Sequence, residues 1–155
     1  MIVVREAKLE DESQVRDVVA SASVQLRRVY RPTPEAINRK SLHSGKFTRM
    51  VACQHDVVIG TVEFRKTNDE LHLMGLAVAP SHQRRGVARR IMDRLVQLAA
   101  QRECRALTLY TIKQTGNVTP FEQLGFRVVS EQPARWCESD HYDELDEVFM
   151  RLDLP

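Results

Sequence analysis

The stretch Leu76-Ala77-Val78-Ala79-Pro80-Ser81-His82-Gln83-Arg84-Arg85-Gly86-Val87-Ala88, continued by the helical run Arg89 to Gln101, constrains this chain more than any other part of it. An apolar run that stops at a proline, crosses a short basic turn and resumes with helical spacing through Gly86 reads as strand, anion-facing loop, helix. The first turn of a helix carries unpaired N–H groups and partial positive charge, and Gly86 and the small Ala88 let a ligand approach that backbone. Arg84, Arg85 and Arg89 add mobile positive charge. A diphosphate suits such a cradle. A Gly-x-Ala turn also serves close strand–helix packing, so the loop needs support from the rest of the chain.

That support comes from the order of the elements. Ile2 to Ala7 is a β-prone run, and Glu10-Asp11-Glu12-Ser13 supplies acidic residues suited to a helix start, after which Val15, Val18, Val19 and Ala22 form a helical stripe. Arg31-Pro32-Thr33-Pro34 breaks this helix from a second, with Thr33 as cap, Pro34 in the first turn and helical character to about Ser41. Phe47 to Gln54, the turn His55-Asp56 and Val57 to Arg65 read as a β-hairpin, with Gly60 a bulge or a point of close approach. Thr67-Asn68-Asp69 turns into Leu71 to Val78, the fourth strand, in which Gly75 costs stability unless a bulge or a close ligand requires it. The helix after the basic loop places Val87, Ile91, Leu95 and Leu98 on one face, and Ala106 to Tyr110 is a fifth strand. A strand, a crossover helix and a further strand predict a parallel, right-handed pairing of the fourth and fifth strands. Arg127 to Glu131 and Leu145 to Leu152 are the sixth and seventh.

The 155 residues predict one domain spanning 1–155. A net charge of +2 is too small to imply nucleic-acid binding, although arginines concentrate between residues 84 and 94. Cys53, Cys104 and Cys137 are odd in number and widely spaced, without a signal-peptide pattern ahead of them, which predicts reduced thiols in a cytoplasmic protein. Cys137 and His141 have no second pair to complete a tetrahedral site, so no metal is expected. No stretch approaches the length needed to cross a membrane.

Gln83 to Ala88 fit the pattern Gln/Arg-x-x-Gly-x-Gly/Ala, and farther along Thr115-Gly116-Asn117-Val118-Thr119-Pro120-Phe121-Glu122-Gln123-Leu124-Gly125-Phe126 supplies an Asn, then an aromatic, then Gly-Phe. With these two signatures the chain resembles the GNAT family of N-acetyltransferases. The resemblance implies an α/β fold, an α+β mixed sheet of the acyl-CoA N-acyltransferase type, in the order strand, two helices, three strands, helix, strand, helix, two strands. Its fourth and fifth strands would be parallel and splayed at their C-terminal ends, admitting the thioester arm of acetyl-CoA. It further implies that the loop Gln83, Arg84, Arg85, Gly86, Val87, Ala88 and Arg89 holds the pyrophosphate, that Leu76, Ala77 and Val78 lie along the pantetheine arm, and that Asn117 and Phe121 meet that arm near the thiol. A tyrosine is usual where Phe121 stands, so a tyrosine acid at this position is in doubt.

The implied reaction is direct attack of an amine on the acetyl thioester in a ternary complex, with a backbone N–H near Val78 stabilising the oxyanion. The acceptor would be a small-molecule or peptide amine, with no nucleic acid or membrane partner, and the protein a monomer or homodimer. A lysine-type amine is roughly 4–5 kcal/mol from its neutral form at pH 7, an α-amine only about 1.4 kcal/mol, so the former needs a base far more. By analogy Glu63 and Glu70 are the candidate bases, and Tyr110, at the end of the fifth strand, a candidate acid for the departing thiol; each also reads as an ordinary strand or surface residue. Trp136 and the acids from Glu138 to Glu144 read either as a solvated loop or as the border of a pocket for a cationic amine. Phe121 leaves open a non-catalytic acyl-CoA-binding module as the alternative function.

Overall fold

The computed structural model describes residues 1–42 and 47–155, with backbone alone for 40–42. Nine strands and four α-helices follow in the order β1 (Ile2–Glu6), α1 (Glu12–Arg27), β2 (Arg31–Pro32), α2 (Pro34–Leu42), β3 (Thr48–Gln54), β4 (Val57–Thr67), β5 (Glu70–Val78), α3 (Val87–Gln101), β6 (Ala106–Ile112), α4 (Val118–Gln123), β7 (Arg127–Pro133), β8 (Cys137–Glu138) and β9 (Asp146–Asp153) among the described residues. The fourth and fifth strands of the sequence reading are thus β5 and β6.

Local chemistry explains several element boundaries. His55 and Asp56 both take positive φ, 53° and 63°, the tight two-residue turn that matches the right-handed twist of a hairpin. Asn68, at φ 56°, makes the next turn. Thr33 caps α2 by accepting the Ala36 N–H at 3.3 Å, as its sequence position predicts.

Seven strands form one sheet in the order β1-β3-β4-β5-β6-β9-β7. All neighbours run antiparallel except β5 and β6, which are parallel. Alternation divides the side chains between two faces: Met50 and Ala52 of β3 join the core under α3, whereas Val51 and Cys53 join the one under α1. On the first face Ile91, Met92 and Leu95 of α3 pack with Phe64, Leu71, Leu107 and Met150. On the second, Val15 and Val18 of α1 meet Val51, Cys53, Val58 and Ala77.

Two features depart from the sequence reading. Arg31-Pro32, expected only to break a helix, forms β2 and pairs antiparallel with β8. The segment read either as a solvated loop or as the border of a pocket contains a short strand with a buried Cys137, and Arg31 ties its acidic end down through Glu138 at 3.2 Å and Asp140 at 3.0 Å. The Thr33 N–H adds a bond to the Trp136 carbonyl at 2.9 Å. Among the described residues no helix is long and apolar enough to cross a membrane.

Candidate active site at a fork between two parallel strands

β5 and β6 are joined through only Glu70↔Ala106, Leu71↔Leu107 and His72↔Thr108, although β5 continues to Val78 and β6 to Ile112. Beyond His72 the two strands part. On its other side β5 stays paired with β4, but there Gly75 and Leu76 stand opposite the single residue Val62, between the pairs Thr61↔Ala77 and Glu63↔Met74. This bulge, with Gly75 at φ 67°, bends β5 at the place where it leaves β6. The edge of β5 that β6 has vacated carries peptide groups without a strand partner. The Ala79 N–H donates to Ile59 of β4 at 2.8 Å, so alternation directs the Val78 N–H toward the vacated edge.

The basic loop follows directly. Arg84 and Gly86 both adopt left-handed φ, 62° and 81°. The Arg90 N–H bonds the Gly86 carbonyl at 3.0 Å, which leaves the N–H groups of Val87, Ala88 and Arg89 ahead of the helical ladder. A Cβ at Gly86 would meet nothing within 4 Å, so open space lies before this helix start. Gln83 closes the turn by donating its side-chain amide to the Val78 carbonyl at 3.1 Å. Arg84 and Arg85 are exposed, whereas Arg89 reaches the Gln123 carbonyl at 2.7 Å and links α3 to the end of α4. Val87 is buried in the core, so only its backbone is available to a ligand, and Leu76 and Val78 pack against the same core. Ala77 is buried beneath α1.

Asn117 stands at the start of α4, where its side chain makes no capping bond. The Phe121 ring packs edge-on against Phe126 at 5.9 Å between centroids and against the α3 core. A vacated strand edge, a bulge, open space at Gly86 and uncapped N–H groups together fit the pantetheine and pyrophosphate of acetyl-CoA.

The proton-handling candidates lie on the α1 side of the sheet, opposite the core residues Phe64, Leu71, Leu107 and Met150. Glu63 is ion-paired with Arg49, its register partner on β3. Glu70 is ion-paired with Arg151 of β9, whose Nε also reaches Asp153 at 2.6 Å. Tyr110 is 50% exposed and stacks at a tilt on Phe149, 4.9 Å between centroids. His72, not singled out by the sequence, lies at the fork itself, its Nδ1 2.9 Å from Thr108 Oγ1 and its ring 5.5 Å from that of Tyr110. Burial, and next the charge of Arg65, lower the His72 pKa, against a raising effect of Glu70. The one sequence signal for His72 was a histidine on the period-2 face of the strand that leads into the loop.

Trp136 donates its indole N–H to Glu147, which shares the face of Phe149 on β9, and stands edge-on to Tyr30 at 5.7 Å. The β2–β8 contact therefore brings the α1–α2 junction and the 136–140 segment to the open face beside the fork. Next to it Glu138, Ser139, Tyr142, Asp143 and Glu144, with Arg135, line a groove of about 360 Å³. All three cysteines are free and buried. Burial raises the Cys53 thiol, and raises Cys137 to about 11 with help from Glu147. Among the described residues no three His, Cys, Asp or Glu side chains group as a metal site.

Solved structures share this architecture. The ribosomal-protein-S18-alanine N-acetyltransferase from Escherichia coli superimposes with a TM-score of 0.77 at 19% identity, over 99% of this chain and 94% of that one. The IAA acetyltransferase from Bacillus cereus gives 0.72 at 18% identity, over 99% and 100%. YncA from Salmonella typhimurium, solved with its cofactor acetyl-CoA, gives 0.71 at 20% identity, over 99% and 94%. The acetyltransferase (GNAT) family model matches residues 15–126, a span that holds the hairpin, the fork, the basic loop and the Asn117-to-Phe126 signature. The chain belongs to the GNAT acetyltransferase family, whose members use acetyl-CoA.

Proposed function

We propose that this protein transfers the acetyl group of acetyl-CoA to a primary amine of a small molecule or peptide, by direct attack in a ternary complex. The observation that carries the reading is the parting of β5 and β6 beyond His72 and Thr108, beside the uncapped start of α3. When bound, acetyl-CoA supplies an acetyl carbon activated as a thioester. The loop from Gln83 to Arg89 would hold its phosphates, with backbone N–H groups and the exposed Arg84 and Arg85 as partners. The vacated edge of β5 would pair with the amides of its arm, and the Val78 N–H is the donor best directed toward a developing oxyanion.

A direct attack is supported by the cysteines. A covalent route needs a thiolate, and burial pushes the Cys53 and Cys137 thiols the other way. The acceptor would lie on the open face, over Tyr110 and Phe149, bordered by Trp136 and the acidic 138–144 segment. Aromatic faces and carboxylates both favour a cationic amine.

The experiment pairs calorimetry of coenzyme A binding with a thiol-release assay across polyamines, amino acids, aromatic amines and peptides with free α-amines. Amine-dependent thiol release is the expected result. Binding with no release across the panel would overturn the reading in favour of a non-catalytic acyl-CoA-binding module.

A further inference from the structure

We infer that His72 is the catalytic base of this protein, with Nε2 taking the proton that the acceptor nitrogen sheds and Thr108 Oγ1 placed beside Nδ1, where the Nδ1–H form that this role requires would donate to it. The inference rests on the acetyl-transfer reading of the same site.

Position is the first argument. His72 is the last residue of β5 still paired with β6, and Tyr110 lies two residues past Thr108 on the same face of the diverging strand. A base and a hydroxyl acid thus stand at the root of the fork, their rings 5.5 Å apart. The second argument is competition. Glu63 and Glu70 each have a carboxylate oxygen engaged by a guanidinium, Arg49 and Arg151. Among the described residues Nε2 of His72 has no such partner, while Nδ1 is engaged by Thr108.

The charged surroundings favour a neutral ring. Arg65 is the register partner of His72 on β4, Glu70 lies two residues before it on β5, and Arg151 of β9 neutralises Glu70. From β6 the facing groups are Thr108 and Tyr110. Burial, and next Arg65, hold the imidazole below its ordinary value of 6.5, which favours the unprotonated ring at pH 7.

The lone pair of the neutral amine forms the N–C bond, the N–H proton passes to Nε2, and the C–S bond breaks with its electron pair on sulfur. The thiolate then takes a proton from water or from Tyr110, which in that case recovers one from solvent, and the imidazolium returns its own to solvent. The uptake of a proton by Nε2 matters most after attack has begun, when the nitrogen has become cationic and acidic.

The test uses the intact chain. Two-bond ¹⁵N–¹H correlation spectra of the uniformly labelled protein, assigned by loss of the signal in His72→Gln, should show the Nδ1–H form, titrating below pH 6.5. His72→Gln should lower kcat about 100-fold at pH 7 and abolish the acidic limb of the kcat profile, with coenzyme A affinity within twofold of the parent. Thr108→Val, a second variant for the case that His72→Gln folds poorly, should keep the limb but shift it, and cost about tenfold in kcat. An Nε2–H form, or an active parent matched by His72→Gln in kcat and pH profile, would overturn this role alone. A parent inactive toward every amine would overturn the transfer reading and this role together.

Discussion

Gly60 of β4 and Val87 of α3 meet so closely that even a Cβ would be tight between them: on Gly60 it would lie 3.0 Å from Val87 Cγ1 and 3.1 Å from Ile91 Cδ1. The helix that opens the proposed phosphate cradle is seated on the sheet through this bare backbone. Gly60 is also the register partner of Val78, so one glycine positions both the strand end and the helix start. Gly60→Val should overpack the contact, costing about 1–3 kcal/mol and displacing the first turn of α3. Thermal melts should fall by about 2–4 °C per kcal/mol, and coenzyme A affinity should fall with them. Parent-like affinity would separate the cradle from this packing.

Gly86 tests the cradle directly. Its φ of 81° disfavours most L-residues, and the open space before it is where the phosphates would lie. Gly86→Asp should abolish measurable coenzyme A binding, while Gly86→Asn, which tolerates left-handed φ and carries no charge, should weaken it less. Calorimetry on the two variants isolates the charge. Equal affinity of Gly86→Asp and the parent would remove the phosphates from this loop.

Asp11 anchors the turn between β1 and α1. It is 4% exposed, accepts from Arg5 at 2.7 and 3.1 Å and from the Lys8 N–H at 2.7 Å, and these bonds lower its pKa from 3.8 to about 2. A carboxylate whose folded pKa is depressed contributes stability that is complete above the unfolded value and disappears as pH falls through the folded one. The contribution should therefore fade between about pH 4 and pH 2. Asp11→Asn should destabilise by about 1–3 kcal/mol at pH 7 and flatten that part of the curve. Urea melts across this pH range measure both effects.

On the proposed mechanism a hydroxyl at Phe121 would have little to do. A thiol with an ordinary pKa near 8.5 leaves as thiolate for about 2 kcal/mol at pH 7, and on that mechanism Tyr110, beside His72 at the fork, would be another proton source. Phe121→Tyr should change kcat by less than about tenfold, equivalent to about 1.4 kcal/mol. A gain of a thousandfold on the best amine would make the missing hydroxyl the factor that limits this protein.

Features encoded by neighbouring residues were legible in the sequence alone. The His55-Asp56 turn and the Thr33 cap each follow from the backbone preferences of a few adjacent residues, Gly75 and Gly86 stand out as glycines that a bulge or the approach of a ligand would require, and helix faces follow from spacing. The order of elements and the two signatures then sufficed for the family. Tertiary structure decided what depends on register between distant strands. Whether Glu63 is free or held by Arg49, and Glu70 by Arg151, turns on which residues stand opposite one another, and a slip of one residue would send each side chain to the other face. His72 and Thr108 are 36 residues apart and meet only because β5 and β6 align for three pairs before they part. The pairing of β2 with β8 is of the same kind: two residues carry too little local preference to declare a strand, and only their partner across the fold makes them one.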